Sequence, residues 1–161
     1  MIEAQIKIEG GEKLLAEMRA LGIRASSALR AAMRAGAGVV QQAAEQRAPY
    51  RRRPRKATRT RASVKRDVVT VRVMPTKRRW YLRLVETGTK PHLIRSRKML
   101  AFEGRGGLVV TRVVRHPGAR PRPWLRPAFD AARDQAVAAI STRLREYIEQ
   151  KRRQIVEGND A

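Results

Sequence analysis

The stretch WYLRLVETGTKPH, residues 80–92, sets the architecture expected of the chain. Trp80, Leu82 and Leu84 fall on one side of a period-two pattern, and Tyr81, Arg83 and Val85 fall on the other. Thr87, Gly88 and Thr89 favour a turn, and Pro91 cannot donate to a ladder, so the pattern predicts a short central strand that stops there. A strand apolar on both faces has to be covered on both. The two clearest helical patterns lie at the ends of the chain. The expected fold class is therefore α+β: a small, mostly antiparallel sheet packed with a long N-terminal helix and a C-terminal helix, with a basic flexible loop between the first helix and the sheet. Leu84 and Phe129 are expected in its core.

Immediately upstream, Val68 to Met74 alternates, with Val69, Val71 and Val73 inward, until Pro75 ends the strand. Downstream, Met99 to Phe102 and Leu108 to Val114 predict a hairpin around EGRGG, reached through a basic connection over His92 to Lys98. The sheet is thus expected within residues 68–114. Towards the N-terminus, Leu14, Leu15, Met18, Leu21, Ala25, Leu29, Met33, Val40 and Ala44 recur at three and four, predicting a helix over 12–47. Gly22, Gly36 and Gly38 interrupt it, as kinks or as points where another backbone comes close, and such small residues suit close contact between subunits. Pro49 biases Ala48 out of the helical region. Ile2, Ala4, Ile6 and Ile8 alternate with polar residues and predict a strand over 2–8. At the other end, Pro127 suits a first helical turn, and Leu125, Phe129, Ala132, Ala136, Ile140, Leu144, Ile148 and Ile155 predict a helix over 124–155. At 161 residues, a single domain is expected.

The formal charge of +23 is not spread evenly. Residues 49–122 hold 23 of the 37 basic side chains and 3 of the 14 acidic ones, so both helical ends are nearly neutral. Such a field attracts polyanions. The densest part, residues 49–66, has almost nothing apolar to bury and is expected to be a mobile loop. Its Arg51, Arg52, Arg53, Arg55, Lys56, Arg59 and Arg61 are the candidate contacts to DNA or to an acidic partner ring.

Chemistry is harder to find. There is no cysteine, which excludes disulfides and thiolate catalysis. The two histidines, His92 and His116, each adjoin a proline in a basic setting, with only Glu86 and Glu103 as nearby carboxylates, too few for a metal site. Gly104 to Gly107 lie in a hairpin rather than at the strand-to-helix turn of a phosphate loop. Neither catalytic residues nor a cofactor is expected. No signal-peptide pattern opens the chain, and no apolar run approaches the about 20 residues of a membrane span. With aromatics at 4%, a base-stacking platform is hard to build, although contact with a duplex backbone needs no motif.

The order of motifs resembles the neck, head-to-tail joining and tail-completion proteins of long-tailed bacteriophages. The resemblance is carried by the amphipathic first helix, TRTRASV before a valine strand, WYLRLVETGTKPH, MLAFEGRGG and HPGARPRPWLRPAFDAA. It spans nearly the whole chain. What it implies is a non-catalytic virion component, made in the host cytoplasm, that forms a hexameric ring at the head–tail junction around the DNA channel. Its implied partners are copies of itself, neighbouring connector and tail-tube proteins, and double-stranded DNA, with no membrane. By the same resemblance, Glu86, Gly88, Thr89, His92, Arg120, Arg122 and Trp124 are motif or subunit-interface positions. The alternative is a non-catalytic basic protein that binds the DNA phosphate backbone.

Overall fold

The computed structural model describes residues 16, 18, 20, 24–49, 56–65, 68–104 and 106–159. The strand expected over 2–8 and Arg51, Arg52, Arg53 and Arg55 lie outside the described residues. The fold is α+β, in the order α1 (Ala25–Arg47), β1 (Thr58–Lys65), β2 (Val68–Pro75), a 3-10 turn (Lys77–Arg79), α2 (Leu82–Thr87), β3 (His92–Gly104), β4 (Gly107–His116) and α3 (Leu125–Asn159). Residues 16, 18 and 20 are also helical. The chain divides into two compact units, residues 1–79 with 124–161 and residues 80–123.

In the first unit, α1 and α3 pack through ladders with a spacing of four. Ala28, Ala32, Gly36, Val40 and Ala44 are buried on α1, and Ala128, Ala132, Ala136, Ile140, Leu144 and Ile148 on α3. Two i±4 ridges that interdigitate bring helix axes close when the contact residues are small. The helices run antiparallel, because Ala28 and Ala32 cluster with Ile140, Leu144 and Ile148 while Val40 clusters with Ala132 and Ala136. Bulk is complementary along the seam. Gly36 marks the closest approach: a Cβ there would lie 2.6 Å from Ile140 Cγ1 and 2.9 Å from the Ala136 carbonyl oxygen. Gly36 is thus a helix glycine that lets another backbone come close, as its place in the pattern allowed.

Within the basic loop predicted over 49–66, residues 58–65 form a strand instead. This is β1, antiparallel to β2 with Thr58 opposite Pro75 and Lys65 opposite Val68. Thr58, Thr60, Ala62 and Val64 alternate with Arg59, Arg61, Ser63 and Lys65, which is a strand pattern written in threonine rather than in aliphatic residues. The strand begins on α1. Glu45 Oε2 accepts from the Ala57 N–H at 2.8 Å, and its Oε1 accepts from the Thr58 N–H at 2.7 Å and the Thr58 hydroxyl at 2.6 Å. Gln41 donates to the Thr58 carbonyl at 3.0 Å. One helical turn, with Gln41 and Glu45 four apart, therefore satisfies a strand end that would otherwise bury unpaired groups.

In the second unit, the central strand predicted over 80–85 is instead a turn leading into α2. Leu82 is fully buried and Glu86, four residues on, is 9% exposed, whereas Trp80, Tyr81 and Leu84 are exposed. An apolar run on both parities does not distinguish a strand from a helix, and the i, i+4 pair decides for the helix. Leu84 accordingly lies outside the core. Gly88, at φ +70°, ends α2 in a conformation that only glycine adopts cheaply. The basic connection expected over 92–98 is part of β3, which pairs antiparallel with β4 from His92 opposite His116 to Gly104 opposite Gly107. The register shifts between Arg95 and Leu100, and this interruption hides the strand's period in the sequence. The turn is shorter than the five-residue EGRGG loop expected, since Gly104 and Gly107 already pair.

Candidate interaction surface

Arg59 and Arg61 project from the outer face of β1, and Lys56 is exposed just before it. Register places Arg61 directly opposite Arg72 of β2, with Lys65 further along the same face. The result is a fixed cluster of guanidinium and ammonium groups on a two-stranded sheet, held to α1 through Glu45. This concentration of positive charge on one exposed face attracts anions. Arg72 was not singled out from the sequence. The signal was its outward parity within Val68 to Met74.

Within the second unit, WYLRLVETGTKPH and the first part of HPGARPRPWLRPAFDAA meet in space. Thr89 and Ala119 exchange backbone hydrogen bonds of 2.9 and 3.1 Å, and the Arg122 N–H donates to the Val85 carbonyl at 2.8 Å. Gly118, at φ +89°, leaves no room for a side chain: a Cβ would sit 2.3 Å from the Thr89 carbonyl oxygen. Gly88 packs reciprocally, with a Cβ position 2.6 Å from the Ala119 carbonyl oxygen. Glycines thus let two loop backbones touch. His92 and His116 lie at the root of the hairpin with ring centroids 5.0 Å apart. The His92 Nδ1–H donates to the Lys90 carbonyl at 2.8 Å, while His116 Nδ1 accepts from the Gly118 N–H at 3.0 Å. Their partners fix opposite tautomers.

Gly88, Thr89 and His92 are therefore parts of a lock within the unit, Glu86 is buried on α2, and Arg120 and Arg122 are exposed beside the lock. Trp124, expected as a motif or subunit-interface position, opens the chain's return into the first unit. At 3% exposure it belongs to the interior. Among the described residues, no group of three or more His, Cys, Asp or Glu is arranged to hold a metal ion, and no helix is long and apolar enough to cross a membrane.

Sequence reading also missed how much apolar surface the β3–β4 hairpin exposes. Leu108 is 72% exposed, and Leu93, Met99, Phe102, Val110 and Val113 are exposed as well. Two strands alone are marginal, and exposed apolar residues on both of their faces mark a surface for association.

No protein-family model matches the chain, and no curated protein or solved structure is detectably similar to it.

Proposed function

We propose that the chain is a non-catalytic structural subunit of a tailed-bacteriophage virion. Its copies form a ring at the head–tail junction, as neck, tail-completion or tail-terminator protein, and surround the DNA channel. The observation that carries this reading is the lock between Thr89 and Ala119. The two stretches on which the phage resemblance mainly rests, 80–92 and 116–132, are far apart in sequence, and the lock makes their facing parts one structural feature. The exposed hairpin supports it further, since a subunit built for assembly leaves apolar surface for its neighbours. The test is to delete the gene in its phage and count particles by electron microscopy. The expected outcome is DNA-filled heads and free tails that do not join, with joining restored by the wild-type chain; normal virions would refute the reading.

A second reading, a basic protein that binds the DNA backbone, is favoured by the cluster of Arg59, Arg61, Lys65 and Arg72 on one sheet face. Each phosphate contact contributes about 0.9 to the slope of log affinity against log salt. Replacing Arg59, Arg61 and Lys65 by Gln should lower that slope by about 2.7 while changing the melting temperature little, because exposed charges contribute little to the fold. A preference of several kcal/mol for one DNA sequence would favour a regulator over a joining protein.

A further inference from the structure

One groove in the first unit and one protrusion in the second are complementary. The groove encloses about 90 Å³ between α1, β2 and α3, lined by Met33, Val40, Val71 and Phe129, with Arg133 on its α3 side. For comparison, a cavity that accepts benzene measures about 150 Å³, so this groove suits a single aliphatic side chain. The protrusion is Leu108, the most exposed large apolar residue described, at 72%. Its cross-strand partner is Glu103, whose side chain leaves the same face of the hairpin. Residues 99–110 contain one acidic and one basic side chain, Glu103 and Arg105, in a chain of net charge +23. The hairpin tip is thus neutral. It has no electrostatic reason to seek a polyanion, and it can approach another copy of this chain without local repulsion.

We propose that Leu108 at the hairpin tip of one copy fills the α1–β2–α3 groove of a neighbouring copy, while Glu103 pairs with the neighbour's Arg133. The knob and the groove are different surfaces of the same chain, so the contact is head-to-tail, the kind that repeats and that makes a ring when its rotation closes. The inference rests on the reading of the chain as a ring subunit and names the surfaces that join its copies. Shape would supply the attraction, and the carboxylate–guanidinium pair would set orientation.

The chain has no cysteine, which makes the contact directly testable in the full-length protein. A Leu108→Cys preparation is mixed with a Thr70→Cys preparation, Thr70 being on the groove wall, and both are exposed to a mild oxidant at high concentration. The expected product is a disulfide-linked heterodimer in several-fold excess over the homodimers either variant forms alone. Adding Glu103→Arg to the first variant should cut the yield about tenfold, and adding Arg133→Glu to the second should restore it. Circular dichroism of each variant checks that it is folded. Heterodimer no more abundant than with Arg145→Cys, an exposed position on α3 away from the groove, would overturn the proposal. So would a doubly substituted chain, Leu108→Cys with Thr70→Cys, that closes its disulfide only within one monomer. Phage particles decide the other question independently: a virion that lacks the protein refutes the head–tail reading even if the cross-link forms, and a failed cross-link leaves that reading standing.

Discussion

A methyl group added at Gly36 would lie 2.6 Å from Ile140 Cγ1, whereas one added at Gly38 would meet nothing within 4 Å. The two substitutions should therefore move stability in opposite directions. Gly36→Ala forces α1 and α3 apart or bends Ile140 from its rotamer, and should cost about 1–3 kcal/mol. Gly38→Ala should gain up to about 1 kcal/mol, because it only removes backbone freedom from the unfolded chain and improves helix propensity. Thermal melts of both check the pair, and two shifts of the same sign would contradict the packing described. Glu45 presents the polar counterpart. Its carboxylate receives two backbone N–H groups and the Thr58 hydroxyl, and Thr58 is 1% exposed. Glu45→Ala should cost about 1–3 kcal/mol by leaving those donors unpaired, and amide exchange at Ala57 and Thr58 should quicken more than at the middle of α1.

Among the elements, those with a long period were legible and those with a short or interrupted one were not. The two terminal helices carry regular apolar spacing for several turns, so their ends at Arg47 and near Leu125 could be read from Pro49 and Pro127. For α2 the sequence offered six residues with apolar side chains on both parities, and only burial of Leu82 and Glu86 separates helix from strand. β1 was hidden for a different reason: its density of Arg and Lys reads as a solvated loop until Thr58, Thr60 and Val64 are noticed between them. In β3 the register shift between Arg95 and Leu100 breaks the alternation. The candidate residues fared similarly. Arg59 and Arg61 stand out by charge, the burial of Trp124 is not reported by a motif, and the exposure of Leu108 follows only from how β3 and β4 pair. These differences make a prediction at the level of elements. Phe129 is half-buried against Val40, Ala132 and Ala136, so Phe129→Ala should cost about 2 kcal/mol. Leu84, exposed on α2, should tolerate Ala within about 0.5 kcal/mol. Equal losses in a denaturant titration would restore Leu84 to the core.

For the whole molecule, the division into units matters because the second is inserted into the first. Residues 80–123 separate β2 from α3, yet α1 and α3 form the main helical seam of the first unit. The lock described above has a kinetic consequence. The hydrogen bond from Arg122 to Val85 brings the two ends of the insertion together, and so short-circuits the chain between them before the distant helices need to meet. The entropy of closing a loop changes by about 0.6 kcal/mol for each halving of its length, a factor of roughly three in rate if the transition state contains the helix seam. Gly118→Ala, which cannot be accommodated beside the Thr89 carbonyl, should slow refolding by about that factor, and stopped-flow refolding measures it. A Gly118→Ala chain that refolds at the wild-type rate but unfolds faster would mean that the insertion closes only after the helices have docked. In that order of events, two loop glycines act as a timing device: they permit a local closure, made early, that decides when the distant ends of the chain find each other.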